Sequence, residues 1–424
     1  MKDLDLWQKR EYTGMKPGLA RIHRFLKICG EPHKRFSAVH IAGTNGKGST
    51  AKMLSDILAE AGYRAGLFIS PNIYDITERI QINSEPIKRN KLSRLVRIYS
   101  RKAEDCGLTF FEFMTGIAFI YFAQEKIDIA VIETGLGGRF DATNTLKNPL
   151  ACIITDIDLD HKAVLGNTIS RIAFEKAGII KKGCPVISGA ENSQAAKVIS
   201  SVARKRKSAE FRIYRDFDFT PIKTDWVNGN QLFRYNGIKF FLKLSVRLLG
   251  VHQLKNCSLS LAACELLRQR GFKILNSHII SAMKNVRWAG RFEVITRGNR
   301  TYVVDGAHNP GAIRRFAGAW RSSPWAKKPS VFIFGMLKDK DYGKAIKILS
   351  EATDKVIICP VDSPRNAPVG VLSGIWKKYL PAGSVSTAES ASAALEAARE
   401  NTVAVVGSLY LAGEILRKIK PTPY

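Results

Sequence analysis

From residue 36 onward, short apolar runs alternate with segments whose apolar positions recur every three to four residues. The runs at 36–39, 65–69, 128–133, 151–156 and 185–188 are rich in Ile, Val and Ala and read as buried strands. Segments 51–61, 92–103, 110–124, 170–180 and 195–206 read as helices; in the first, Met53, Leu54, Ile57 and Leu58 share one face. This alternation predicts a parallel sheet wrapped by helices.

The texture changes over 211–246. Short strands at 231–235 and 238–244 flank Asn236-Gly237, a hairpin turn signal, and predict a small antiparallel sheet. Helical patterns follow at 252–270 and 277–286. A second alternating unit carries strands at 302–304, 331–334, 356–359 and 403–406, and a helix at 410–419 closes it. The expected fold is α/β with two domains, 1–289 and 290–424. The boundary falls in 287–291, where Gly290 relaxes the backbone.

Composition narrows the class. A chain of 424 residues exceeds one ordinary core. No segment approaches the roughly 20 uninterrupted apolar residues of a membrane span. Residues 1–10 are charged and have no apolar core, so no secretory signal is read. The seven cysteines are scattered without CxxC spacing, which fits reduced thiols and a cytoplasmic location. The net charge of +29 invites polyanions. Its densest runs, 204–207 and 88–91, lack the interleaved aromatics that stack bases. A solvated basic face is preferred over a nucleic-acid surface, and neither nucleic acid nor membrane is an expected partner.

Candidate chemistry sits just after strands, where open α/β sheets bind ligands. The run Gly43-Thr44-Asn45-Gly46-Lys47-Gly48-Ser49-Thr50 lies between a strand and a helix, the context of a phosphate-binding loop. Lys47 would reach phosphates, and Ser49 or Thr50 could sit on Mg²⁺. The alternative is a glycine-rich turn with no ligand, since Gly48 interrupts the common spacing. Glu133 ends a buried strand and opens the glycine-rich run to Asn144; it could hold Mg²⁺ or merely end the strand. Asp156, Asp158, Asp160 and His161 crowd the next strand tip, where a metal or phosphate role is plausible. Lys176 reads by default as a solvated lysine at a helix end. Asp305-Gly306-Ala307-His308-Asn309-Pro310 follows a strand of the second unit; Asn309 and Pro310 also suit a simple helix cap.

Taken in order, these clusters resemble the folylpolyglutamate synthase/dihydrofolate synthase family, a branch of the Mur ligases. The likeness also takes in Gly18 to Ile22, Ser70-Pro71, Glu78-Arg79-Ile80, Leu165-Gly166, Glu175 to Ile179, His252-Gln253 with Asn256, Gly290 to Glu293, Lys340-Asp341 and Gly407 to Tyr410. It implies a P-loop NTPase-like N-terminal domain and a Rossmann-like C-terminal glutamate-ligase domain. The implied reaction is ATP-dependent addition of L-glutamate to a pterin-type carboxylate through an acyl phosphate. The implied cofactors are ATP and Mg²⁺, the latter at two sites, in a monomer.

By position, Lys47 and the loop amides would bind ATP. Ser49, Ser70, Glu133 and His161 would hold or border Mg²⁺, joined by a carbamylated Lys176. Gln253, Asn256, Arg291 and Asp305 would lie around adenosine and the γ-phosphate, with His308 and Ser408 on the glutamate side. Domain closure would assemble the site. Asn72, Ser84 and Ala289 depart from the common pattern and bear on pterin preference rather than ATP chemistry. The rival readings are a Mur-type ligase acting on another carboxylate and, from net charge alone, a basic P-loop nucleic-acid-binding protein.

Overall fold

β1 (Ser37–Ala42) is buried from Ala38 onward and lies at the centre of an eight-stranded sheet. The other strands are β2 (Ala65–Phe68), β3 (Ile80–Ile82), β4 (Glu85–Pro86), β5 (Ile129–Glu133), β6 (Ala151–Ile154), β7 (Val186–Ser188) and β8 (Glu210–Arg212). Their order is β4-β3-β2-β5-β1-β6-β7-β8. Pairing is parallel except at the β2/β3 and β3/β4 edge. β5 and β6, which flank β1, are buried throughout and apolar apart from the terminal Glu133, as expected for strands covered on both faces. The computed structural model describes residues 2–10 and 17–420.

The chain divides into two compact units: Met1–Thr220, Phe233–Ser245 and Lys255–Val286 form one; Pro221–Leu232, Val246–Leu254 and Arg287–Tyr424 form the other. The first unit's core includes Phe25, Phe113, Phe119 and Phe122 in one cluster and Cys152, Ile154, Ile172 and Ile199 in another. Six of the seven cysteines are buried and all are free thiols. No helix of the described residues is long and apolar enough to cross a membrane.

Two boundaries differ from the apolar pattern for physical reasons. β1 continues through His40 to Ala42, past residue 39 where the expected strand ends. His40 is fully buried with Nε2 2.8 Å from Thr143 Oγ1. Burial, helped by the charge of Lys181, lowers its pKa to about 3, so the ring sits in the strand uncharged. The following helix begins at Lys47, not at residue 51, because its first turn is polar and glycine-rich.

The small sheet comprises β9 (Asp218–Asp225), β10 (Asn230–Asn236) and β11 (Phe241–Val246) in the order β11-β10-β9. Its residues are divided between the two units. The tight turn expected at Asn236-Gly237 is absent. The connection runs through residues 237–240, with Gly237 N–H donating to the Phe240 carbonyl. Glu265 accepts from Ile238 N–H at 2.9 Å, Lys239 N–H at 2.7 Å and the buried Tyr235 hydroxyl at 2.7 Å. A distant carboxylate thus satisfies main-chain groups that a two-residue turn would have paired within the ladder.

The second unit holds β12 (Glu293–Arg297), β13 (Arg300–Val304), β14 (Ser330–Phe334), β15 (Val356–Ile358), β16 (Val385–Thr387) and β17 (Thr402–Val406) in the order β12-β13-β17-β14-β15-β16. Only β12 is antiparallel to its neighbour. Phe292, Phe316, Trp320 and Phe332 anchor its core, with Trp320 edge-on to Phe332 at 5.0 Å between centroids. Together the two units form an α/β fold with a large mostly parallel sheet, a small antiparallel sheet and a C-terminal mixed sheet.

Candidate active site

Strand order brings the first unit's polar clusters together. β1 lies between β5 and β6, so the segments leaving all three strands emerge side by side. The loop after β1 is stitched to the segment after β6. Thr44 N–H donates to the Asp156 carbonyl at 2.6 Å, and Thr155 Oγ1 donates to the Asn45 carbonyl at 2.7 Å. Thr44 Oγ1 and Asp158 N–H meet at 3.0 Å. Gly43 and Gly46 have φ of 157° and 86°. A side chain at Gly43 would overlap the Thr155 hydroxyl, so glycine there is a matter of space.

Lys47 opens the helix Lys47–Glu60, where first-turn N–H groups have no intrahelical partner. Its ammonium lies 3.8 Å from Glu133 Oε1 and 3.4 Å from the Thr44 carbonyl. Glu133 Oε2 accepts from Ser70 N–H at 3.2 Å. Ser49 is buried in the same turn. The hydroxyls of Thr50 and Thr134 are buried without a protein partner. A glycine loop, a helix start, a lysine and orphaned hydroxyls suit a polyphosphate.

Lys176 is not the solvated lysine of its default reading. It is 4% exposed, and its Nζ donates to the Gly43 carbonyl at 2.7 Å. Burial, reinforced by Lys47 and opposed by Asp160 and Asp141, lowers its pKa to about 7. The helix that carries it, Ile169–Ala177, packs its end against the run 133–144: Arg139 N–H donates to the Glu175 carbonyl at 2.8 Å. Asp141 anchors that run, accepting from Leu136 N–H, Thr143 N–H and Thr143 Oγ1. Burial raises the Asp141 pKa. Asp141 is a residue to which sequence reasoning gave no role; its Asp-x-Thr spacing is the signal that marks a capped turn.

His161 stands at φ 49° before the short helix Lys162–Leu165, with Nε2 3.8 Å from Asp160 Oδ2. Among the described residues no group of three or more His, Cys, Asp or Glu side chains is placed to hold a metal. Ser70 and Glu133, joined by a hydrogen bond, and Ser49, in the turn that Lys47 opens, are a different donor set, with a single carboxylate. That suits Mg²⁺, which takes few protein carboxylates beside phosphate and water.

Two sequence departures have local roles. Asn72 Oδ1 accepts from Arg79 Nε at 2.7 Å. Ser84, at φ 68°, accepts from Lys52 Nζ at 3.0 Å and donates to Asp56.

The second unit gathers its candidates around the segment after β13. Asp305 is buried and accepts from Phe292 N–H at 2.8 Å and Ala307 N–H at 2.7 Å. Burial, opposed by Arg291 and these amides, raises its pKa to about 6. Phe292 sits at φ 46°, an outlier for a bulky residue, directly after Arg291. His308 Nδ1 lies 2.9 Å from the Gly306 carbonyl, which accepts only, so Nδ1 carries the proton. Asn309 caps the helix Pro310–Ser322, and Ser408 caps Leu409–Ile419 through Tyr410 N–H at 3.1 Å. The helix Val251–Arg268 carries Gln253 in the second unit and Asn256 in the first. Asn256 lies against Gly46.

Residues 41–264 match the Mur ligase middle domain, and 290–409 the Mur ligase glutamate ligase domain. The chain is 34% identical to the dihydrofolate synthase/folylpolyglutamate synthase of Bacillus subtilis, covering 96% of each. The folylpolyglutamate synthase of Mycobacterium tuberculosis complexed with ADP superposes with a TM-score of 0.91 at 27% identity, over 100% of this chain and 98% of that one. The bifunctional folylpolyglutamate synthase/dihydrofolate synthase of Yersinia pestis, complexed with AMPPNP and a Mn ion, gives a TM-score of 0.83 at 28% identity, over 98% and 96%. The chain belongs to the Mur ligase family, in its folylpolyglutamate synthase/dihydrofolate synthase branch.

Proposed function

We propose that the protein joins L-glutamate to a pterin-type carboxylate, dihydropteroate or a tetrahydrofolate, with hydrolysis of ATP to ADP and phosphate. The observation that carries this reading is the pairing of Lys176 with the glycine loop. A buried lysine near its neutral form touches the Gly43 carbonyl, beside Lys47 and Glu133.

A carboxylate is a poor acyl donor because it is anionic and resonance-stabilised. Phosphorylation by the γ-phosphoryl group gives an acyl phosphate with a good leaving group. The glutamate α-amine then attacks, and the tetrahedral intermediate collapses to amide and phosphate. Lys47 and the amides of 43–50 neutralise and orient the phosphates. Ser49, Ser70, Glu133 and His161 would hold or border Mg²⁺, at two sites, and the ion would supply positive charge to offset the phosphates. The lowered pKa supplies Lys176 with the uncharged amine that carbamylation needs, which turns a cation into an acidic ligand. Gln253, Asn256, Arg291 and Asp305 serve adenosine and the γ-phosphate; His308 and Ser408 serve glutamate. In this chain Asp305 and Ser408 also hold their own turns, so both roles fall on the same atoms.

The test is ADP release by purified protein with ATP, Mg²⁺ and L-glutamate, supplying dihydropteroate and tetrahydrofolate separately, with mass spectrometry of the products. Turnover with either acceptor is expected, and the pattern separates mono- from bifunctional activity. No turnover with both, in protein that binds ADP, overturns the acceptor class.

A further inference from the structure

The glycine loop is held from a second side by the helix Val251–Arg268. Asn256 Oδ1 fills the space a side chain at Gly46 would need, and Ser260 Oγ donates to the Thr50 carbonyl at 3.0 Å. Next to Asn256, Lys255 is only 6% exposed. Its ammonium faces two carboxylates: Glu191, just after β7, by a direct hydrogen bond, and Asp156, at the end of β6, at 3.5 Å. Burial lowers the Lys255 pKa and Glu191 opposes the shift. A buried ammonium persists where carboxylates face it.

Asp156 is also the residue whose main chain holds the loop. Its carbonyl accepts from Thr44 N–H at 2.6 Å, and its N–H faces the Asn45 carbonyl at 3.5 Å. Asn45 and Asp156 form an isolated β-bridge. Lys255 therefore forms an ion pair with the side chain of the residue whose backbone shapes the loop. Its two partners differ: Glu191, half in solvent, takes the hydrogen bond, and Asp156, largely buried, pairs with the ammonium at 3.5 Å.

We propose that Lys255 is a positioning residue for nucleotide binding: by holding Asp156 it fixes Thr44 and Asn45 in the shape that receives phosphate. This rests on assigning the 43–50 loop to ATP.

The experiment measures ADP binding to the full chain by calorimetry, with steady-state kinetics beside it. Lys255→Met is expected to weaken ADP about tenfold and raise the KM for ATP, with kcat and the KM for L-glutamate held within about twofold. Lys255→Arg, which keeps the charge, recovers most of the affinity. Asp156→Asn keeps the shape and backbone of residue 156 and is expected to reproduce the loss. The double variant is then no weaker than either single one, as for two residues acting through one contact. Unchanged ADP affinity in Lys255→Met overturns the proposal. So does an additive loss in the double variant, or a fall in kcat with a rise in both KM values, which marks a general fold defect. Should Lys255→Met not fold, Asp156→Asn decides: wild-type ADP affinity there overturns the proposal. Lys47→Ala separates the two layers. If it binds ADP normally, the loop assignment itself fails. If it loses ADP while Lys255→Met does not, only the role of Lys255 fails.

Discussion

Two turns of similar design, the one after β1 and the one after β13, use their polar residues differently. Both leave a strand and lead toward a helix start. Around the first, Lys47 pairs with Glu133, and Lys176 donates to a main-chain carbonyl of the loop. Around the second, both oxygens of Asp305 bind main-chain amides, and Asn309 caps the next helix. Burial perturbs a charged group in each, lowering Lys176 to about 7 and raising Asp305 to about 6. The first turn thus sets one lysine against a carboxylate and a second against its own main chain, whereas the second turn uses an acid to hold its own shape and the strained Phe292.

The sharpest break of this contrast is Lys47→Ala. It removes the cation beside Glu133 and is expected to lower ATP turnover at least about 100-fold, read as ADP release. Turnover near the wild-type rate would erase the distinction between the two turns.

Lys176→Ala is expected to lose most activity and to regain part of it with formate or acetate supplied in solution. Wild-type-like turnover would remove Lys176 from the site. The same residue leaves a thermodynamic trace. Its folded pKa of about 7 lies below its ordinary 10.5, so the unfolded chain binds the extra proton between those values. Stability from this group therefore rises with pH across that window and is lost as pH falls through about 7. Lys176→Met should flatten that slope in thermal unfolding measured against pH.

Asp305 has the opposite sign. Its folded pKa of about 6 lies above the ordinary 3.8, so its contribution is present below 3.8 and lost as pH rises through about 6. Asp305→Asn should remove that slope and cost about 1–3 kcal/mol at neutral pH, because an amide cannot accept both N–H groups through oxygen. Thermal unfolding across pH 4–7 checks both effects.

The smallest effect is expected at Ser408→Ala, where losing the cap costs about 1 kcal/mol. A role on the glutamate side adds a raised KM for L-glutamate with ATP affinity unchanged. An unchanged KM would leave Ser408 as a helix cap alone.

Much of this was legible in the chain. Apolar runs gave the sheet strands β1, β2, β5, β6 and β7 and the main helices, because strands covered on both faces must be continuously apolar. Glycine spacing after β1 marked the loop, and the ordered clusters marked the family. The short strands β3, β4 and β8 each carry a polar residue or a proline and are not buried throughout, so they lack the continuous apolar run that marks the equally short β7. The Asn236-Gly237 signal misled because Glu265, far along the chain, captures the turn's amides.

By itself, then, the sequence determined the fold class, the location of the glycine loop and the polar clusters at strand ends, since these follow from local periodicity and local backbone chemistry. Only the tertiary structure decided which of those polar groups are buried and against what. Lys176, bland in sequence, touches Gly43; Lys255 pairs with Asp156; Asp305 turns inward to amides. Desolvation and long-range pairing set the charge state of each group, and both depend on neighbours that strand order, not chain order, brings together.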